Sequence, residues 1–366
     1  MALYPPERLA RARRAAVAAG LDALLVTPGA DLRYLTGYRA MPLERLTCLI
    51  LPAEGEPTLI VPRLERPAAE ASPAPATGVR IVDFPDGADP YRLVVDALGG
   101  SAKAVGLANQ MWAEQVLALR AALPDAEQRL AGEVLAELRM RKSPAEVDAL
   151  RRAGAAIDRV HARMGEWLRP GRTEAQVGED IAAAIREEHE TVDFVIVAAG
   201  PSGASPHHHT SDRVIEAGDP VVVDIGGTTR DGYCSDSTRT YAVGRPPADF
   251  LASYEALRQA QRAGVAAVRP GVTAEAVDAA CRDLLTGAGY GEFFVHRTGH
   301  GIGLETHEEP YIVTGNARPL AAGMAFSVEP GVYLPDRHGA RIEDIVVCTD
   351  TGVERLNTTS TDLVEL

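Results

Sequence analysis

The chain has 366 residues, of which 46% are hydrophobic and 24% charged. That composition is ordinary for a folded protein, and the length exceeds what one compact core usually holds, so two domains are expected. A net charge of −14 argues against nucleic acid or an anionic membrane as the main partner, because both would be repelled.

Lysine occurs only at 103 and 142, so nearly all positive charge is arginine. Cys48, Cys234, Cys281 and Cys348 are scattered with no CxxC, which suits neither a disulfide framework nor a zinc–cysteine cluster and fits a reducing cytosol. The run after Tyr4 has helical periodicity in place of a continuous apolar stretch, so neither a signal peptide nor a membrane span is expected and the location is read as cytoplasmic.

In chain order, Arg8 to Gly20 reads as a helix closed by glycine, and Leu21 to Val26 as a strand ending at the Pro28-Gly29 turn. Thr47–Leu51 and Thr58–Val61 are short apolar runs joined by a Pro- and Gly-containing turn, a hairpin signature. Residues 67–77 are crowded with Pro and Ala and are expected to form a surface loop, and Trp112 to Leu123 reads as another helix. Helix and strand alternate here as in an α/β domain. Ala131 to Arg141 is helical; Ser143-Pro-Ala-Glu146 then has an N-cap, a first-position proline and a capping box. The boundary is placed in this region, giving domains 1–135 and 136–366.

The second part contains a repeat. Arg169-Pro-Gly-Arg-Thr173 recurs as Arg269-Pro-Gly-Val-Thr273, each copy between helical stretches. β-type segments follow, Val192–Ala198 in one copy and, less clearly, Phe293–His296 in the other. Each half then has a strand pair with two acids, Asp224 with Asp236 and Glu329 with Glu343. Two α+β units related by a pseudo-twofold axis are expected, with a cleft between them as the natural site.

The acids carry the chemistry. Val221-Val-Val is a buried-strand pattern that runs into Asp224 and two glycines, and the returning strand bears Asp236. A carboxylate closing an apolar strand is costly unless it is paired or bound to a cation, and two on neighbouring strands suit a hard divalent metal; a turn aspartate plus an exposed one is the plain alternative. In His296-Arg-Thr-Gly-His300-Gly-Ile-Gly-Leu-Glu-Thr-His307, the glycines beside His300 allow close approach, and imidazole suits transition metals. Glu329 and Glu343 lie among apolar residues, where either metal binding or an ion pair with Arg341 would account for them. Four carboxylates and one histidine are enough for two metals if two carboxylates bridge, and two ions about 3.5–4 Å apart can share a hydroxide and polarise a carbonyl.

On the stretches DIGG…DGYCSDSTRT, HRTGHGIGLETHEEP, SVEPGVY and ARIED, residues 150–366 resemble the catalytic domain of the pita-bread metallopeptidases, which include methionine aminopeptidase, aminopeptidase P and Xaa-Pro dipeptidase (prolidase). Leu21-Asp-Ala-Leu-Leu-Val and Leu32-Arg-Tyr-Leu-Thr-Gly37 resemble the creatinase/prolidase N-terminal domain, which methionine aminopeptidases lack. The resemblance implies an α+β fold: a pita-bread (creatinase/aminopeptidase) C-terminal domain with pseudo-twofold halves, preceded by a smaller α/β creatinase-like domain. It implies Asp224 as terminal ligand of one metal, Asp236 and Glu343 as bridges, and His300 and Glu329 completing the second. Glu329 would also carry a proton from the bridging water to the leaving amine. His207, His296 and His307 match histidines that bind substrate or steady the tetrahedral intermediate, and Tyr333 and Arg341 match positions that support the site, Tyr333 with the substrate-binding group and Arg341 with the catalytic one. The implied metals are two divalent ions, manganese first, with cobalt, zinc or iron as alternatives. The implied partners are small peptides with proline second and, in a homodimer, a second copy of the chain. A solvated loop is the plain alternative for His208 and His209.

The resemblance thus implies hydrolysis of Xaa-Pro bonds, by a dipeptidase or, alternatively, an aminopeptidase P acting on longer peptides. An Xaa-Pro bond is a tertiary amide without an N–H, so a pocket can select the ring by shape. Creatinase-like C–N hydrolysis and a catalytically silent binding module both conflict with the retention of all five ligands. Asp224-Ile-Gly-Gly-Thr228 imitates a sugar-kinase phosphate loop, yet it lies past mid-chain and runs into a second acid. One departure from the family pattern is the spacing of twelve between Asp224 and Asp236, where eleven is usual. The surplus residue is expected in the turn near Thr229-Arg230, because within a strand it would turn Asp236 away.

Overall fold

The computed structural model describes residues 3–366. The chain separates between Arg139 and Met140 into two compact units, within the helix Gly132–Met140 that also covers position 135.

The first unit is built on six strands: β1 (Ala23–Val26), β2 (Cys48–Pro52), β3 (Thr58–Pro62), β4 (Arg80–Phe84), β5 (Ala104–Leu107) and β6 (Glu127–Leu130). They lie in the order β4-β3-β2-β1-β5-β6; β2 is antiparallel to both neighbours and the other pairs are parallel. All residues of β1, β2 and β3 are buried, as in strands covered on both faces, which is why they read as continuous apolar runs. The loop expected over 67–77 is instead a short helix, Arg66–Ala71, and a 3₁₀ turn, Ala74–Thr77. Their prolines occupy first-turn positions, where the missing N–H costs nothing, and alanine favours the helix.

The second unit begins as the capping box predicts. Glu146 accepts hydrogen bonds from the Ser143 amide (2.9 Å) and hydroxyl (2.8 Å) at the start of the helix Pro144–His161. The helix Glu174–Glu188 leads into β7 (Thr191–Ala199), β8 (Pro220–Thr228) and β9 (Cys234–Ala242). The second half repeats this with helices Ala248–Ala267 and Ala274–Gly287, then β10 (Gly299–Gly301), β11 (Glu308–Ile312) and β12 (Ala325–Val328). It continues with the hairpin β13 (Gly331–Leu334) and β14 (His338–Arg341), then β15 (Asp344–Cys348), β16 (Val353–Arg355) and β17 (Val364–Glu365). One sheet runs β17-β9-β8-β7, another β11-β10-β12-β15-β16. The expected strand at 293–296 is absent; Gly291–Phe293 is a 3₁₀ turn and β structure starts at Gly299.

Each half has its own core. Ile157, Val177, Ile181, Val221, Val223 and Ile225 form one, and Phe250, Leu257, Val277, Phe326 and Val346 the other. The two RPGxT copies play the same part. Thr173 caps Gln176 and bridges to Val214, and Thr273 caps Ala276 and bridges to Pro319. This is the duplicated α+β arrangement expected from the repeat.

Candidate metal centre

The β8–β9 ladder fixes the first two acids. Its register is unbroken from Pro220↔Ala242 to Thr228↔Cys234, with Asp224 opposite Thr238 and Asp236 opposite Gly226. Strand periodicity therefore puts Asp224, Asp236 and Thr238 on one face. The five-residue connection Thr229–Tyr233, closed by a Thr229 N–H to Tyr233 carbonyl bond of 3.0 Å, absorbs the surplus residue without a bulge in this pair. Asp236 thus keeps its orientation.

His300 sits in β10, pressed between β11 and β12. A Cβ on Gly299 would lie 1.9 Å from the Ser327 carbonyl oxygen, and one on Gly301 2.2 Å from that of Glu309. Only glycine lets the three backbones approach this closely. Glu329 follows β12 and Glu343 precedes β15, two strands paired antiparallel with Val328 opposite Asp344. All five predicted ligands converge. Ligand atoms of Asp224, Asp236 and Glu343 lie within 4.8 Å of one another, as do those of His300, Glu329 and Glu343, so Glu343 belongs to both groups. His300 Nε2 is 3.1 Å from Glu329 and 3.6 Å from Asp236.

The remaining atoms of these side chains are committed in a way that leaves candidate donor atoms facing inward. His300 Nδ1 is 3.1 Å from the Gly301 carbonyl, which can only accept, so Nδ1 carries a proton and Nε2 is turned toward the acids, a donor to Glu329 when protonated and a lone pair when it binds a cation. Thr238 donates to Glu343 Oε2 (2.8 Å), Ser327 to Glu329 Oε1 (2.9 Å), and Arg341 to Asp224 Oδ2 (2.5 Å). Asp224 Oδ1 and Glu343 Oε1 are buried without a hydrogen-bond partner. Orphaned carboxylate oxygens beside an inward-facing imidazole are the donor set that divalent ions satisfy.

The electrostatics agree. Burial, then the neighbouring carboxylates, pushes Asp236 and Glu343 well above the usual carboxylate range. Burial also acts to raise Glu329, but the hydrogen bond and charge of His300 outweigh it and hold that carboxyl at about 2. Four carboxylates against one guanidinium cannot all ionise cheaply in a buried site, and divalent cations reverse that balance.

The centre opens into a cleft of about 650 Å³ lined by Phe194, Ile196 and Pro206 beside the ligands, with His207, His296, His307 and Arg341 in its wall. His296 Nδ1 donates to the Arg297 carbonyl (2.7 Å), so its Nε2 accepts from the Tyr333 hydroxyl at 2.8 Å. Tyr333 in turn accepts from Arg341 (2.7 Å), completing a chain from His296 through Tyr333 and Arg341 to Asp224. Tyr333, expected among the substrate-binding residues, is 4% exposed and absent from the cleft lining, because its hydroxyl is enclosed between His296 and Arg341. The His307 ring lies 3.9 Å from that of His300, and burial followed by the positive neighbours His300 and Arg297 lowers its pKa to about 4.

Sequence reasoning did not single out the wall formed by Phe194, Ile196 and Pro206, or Asp193, Arg297 and Thr306 at its polar edge. Arg297 stands inside a motif already marked by its histidines. The apolar residues follow β7 and its loop, and nothing local distinguishes them from core.

With this geometry in hand, the comparisons with known proteins are direct. Residues 148–350 match metallopeptidase family M24, and residues 8–141 the creatinase/prolidase N-terminal domain. The chain is 56% identical to the "Probable dipeptidase PepE" of Mycobacterium tuberculosis, over 98% of this chain and 95% of that protein. It is 36% identical to the "Xaa-Pro dipeptidase" of Lactobacillus delbrueckii subsp. lactis, over 94% and 95% respectively. The crystal structure of dipeptidase PepE from Mycobacterium ulcerans superposes with a TM-score of 0.93 at 58% identity, covering 98% of this chain and 96% of that one. The buried acid and histidine cluster therefore has its explanation in descent as well as in chemistry: the chain belongs to metallopeptidase family M24.

Proposed function

We propose that this peptidase is an Xaa-Pro dipeptidase that works with two divalent ions, manganese being the first candidate, and that Asp224, Asp236, His300, Glu329 and Glu343 hold them. The observation that carries the reading is the convergence of four carboxylates and one imidazole, with Asp224 Oδ1 and Glu343 Oε1 unpartnered, at the base of a cleft with an apolar wall. The names of the two curated relatives, one a dipeptidase and one an Xaa-Pro dipeptidase, support the substrate. Asp236 and Glu343 would be the ligands common to both ions, Glu343 being the residue found in both three-residue groups of these five side chains.

When bound, such ions polarise a peptide carbonyl and activate a water. The rest falls to the chain. Glu329, steadied by the Ser327 hydroxyl, is placed to hold a proton and deliver it to the proline nitrogen as the C–N bond breaks. A proline nitrogen has no hydrogen of its own to keep, so this delivery completes the leaving amine. Phe194, Ile196 and Pro206 exclude water and suit the pyrrolidine ring. His207 and His307 contact the substrate. His296 does so from a ring whose two nitrogens are held by Arg297 and Tyr333, while Arg341 fixes Asp224. No helix among the described residues is long and apolar enough to cross a membrane, and the four cysteines are free and buried. Free, buried cysteines suit the cytosolic location proposed here, and a homodimer is proposed on the family resemblance alone.

The test is to strip the protein with a chelator, reload it with manganese, cobalt or zinc, and compare Xaa-Pro dipeptides, Xaa-Pro-Yaa tripeptides and creatine. Dipeptides are expected to be cut at least about tenfold faster than tripeptides, and Asp236→Ala to lose metal stoichiometry together with turnover, by about 10³-fold. Cleavage of creatine or tripeptides alone, or full turnover by Asp236→Ala, overturns the reading.

A further inference from the structure

The duplicated halves supply an internal control that isolates one residue. After the repeated threonine, the first half has Glu174 and the second Ala274, both 0% exposed. Their backbones make matching contacts. The Glu174 and Ala175 amides donate to the Arg213 and Ser211 carbonyls (3.0 Å each), and the Ala274 and Glu275 amides donate to those of Arg318 and Asn316 (2.9 Å each). Helix, cap and backbone bridge thus form equally well around alanine. The carboxylate of Glu174 is an addition that the scaffold does not need, and burying one without purpose is costly.

Its partners show what it does. Glu174 Oε1 accepts from the Ala199 amide at 2.8 Å, where β7 ends. Oε2 accepts from the Ser211 amide (3.1 Å), the Ser211 hydroxyl (2.7 Å) and His208 Nε2 (2.7 Å). Ala199 and Ser211 are the two ends of the segment that carries Pro206 and His207 into the cleft wall, and His208 is the residue next to His207. The Arg341 guanidinium reaches the Pro206 carbonyl at 3.3 Å from the other side. Although burial opposes it, the hydrogen bonds from Ala199, Ser211 and His208 hold Glu174 below the usual carboxylate range, so it is ionised. The run His207-His208-His209 is therefore not a uniform solvated loop: its middle imidazole is tied to a fully buried anion, while His207 and His209 are exposed.

We propose that Glu174, acting through His208 and Ser211, is a positioning residue that closes the segment 200–210 at both ends and so sets His207 and Pro206 against the substrate; this rests on the peptidase reading of the cleft. Glu174 itself touches neither metal ligand nor cleft, and its effect on the reaction runs entirely through His207 and Pro206.

Two measurements on the full-length, metal-loaded protein test it. In hydrogen exchange, Glu174→Ala is expected to speed exchange across 199–211 by about tenfold or more, with the matching segment 312–318 of the other half unchanged. In a double-mutant cycle on an Xaa-Pro dipeptide, Glu174→Ala is expected to lower kcat/KM about 10- to 100-fold in the wild-type background and at least about threefold less than that in His207→Ala, where only Pro206 is left for the anchor to position. If Glu174→Ala fails to fold, His208→Asn removes a single tether and is read in the same two ways. Unchanged exchange, or an equal loss in both His207 backgrounds, overturns the proposal. Absence of Xaa-Pro cleavage by the wild-type protein sinks the dipeptidase reading alone, and exchange then decides the anchor by itself.

Discussion

Lys142 is one of two lysines in a chain that otherwise uses arginine, and it is buried. Its ammonium lies 2.5 Å from Glu308, with side-chain exposures of 1% and 7%, and its amide is bound to the Gly323 carbonyl at 2.8 Å. The pair is packed under Gly303, where a Cβ would sit 2.8 Å from Glu308 Oε1 and 3.2 Å from Lys142 Cε. Lys142→Met keeps the stem and deletes the charge, leaving the buried Glu308 carboxylate without the ammonium beside it. Breaking a buried pair from one side costs about 3–5 kcal/mol. For a unit of this size each kcal/mol is worth roughly 2–4 °C, so Tm is expected to fall by about 10 °C. Adding Glu308→Gln removes the stranded charge and is expected to recover most of that loss, since replacing both partners is far milder than removing one. Lys142→Arg is expected to fail as well, by several degrees, because a planar guanidinium is larger than the gap beneath Gly303. Calorimetry on the full-length protein reads all four proteins. A single variant within 2 °C of wild type, or a double variant no more stable than the single one, refutes the reasoning.

His161 makes stability depend on pH. Burial first, then the nearby Arg239, holds its pKa at about 3, with the ring bonded to the Tyr241 hydroxyl (2.9 Å) and the Ser237 carbonyl (3.2 Å). The unfolded chain takes up that proton near 6.5 and the native one does not, so stability is full above 6.5 and falls as pH drops toward 3. The loss is about 2 kcal/mol at pH 5. Urea unfolding at pH 7 and pH 5 is expected to show His161→Phe losing that much less on acidification than wild type, and an unchanged difference would count against it. At β10, Gly301→Ala meets backbone at 2.2 Å and is expected to cost about 3 kcal/mol or more, whereas Gly287→Ala, with nothing within 4 Å, is expected to be neutral or slightly stabilising. Equal melting temperatures for the two alanine variants would contradict the packing argument.

The members of the acid–histidine cluster were readable from the chain because the signal is local. An acid closing the apolar run Val221–Val223 and a histidine between two glycines each violate the pattern of a buried strand, and the turn chemistry at Thr229–Tyr233 keeps the register on which Asp236 depends. The same locality explains the capping box at Ser143 and the duplicated RPGxT starts. It also explains the errors: a Pro- and Ala-rich stretch satisfies loop and short-helix rules alike, so tertiary packing chose the helix Arg66–Ala71, and the weak strand signal at 293–296 lost to a 3₁₀ turn.

What the chain could not state by itself is which side chains meet across its length. Thr238 bonds Glu343, Arg341 bonds Asp224, Tyr333 is enclosed behind His296, and Phe194 and Ile196 become a cleft wall and not core. Glu174 looks like an ordinary first-turn acid until folding closes the segment 200–210 around it. Period and propensity act over a few residues, but these contacts span from 25 positions (Glu174 to Ala199) to 117 (Asp224 to Arg341), and only tertiary packing settles them.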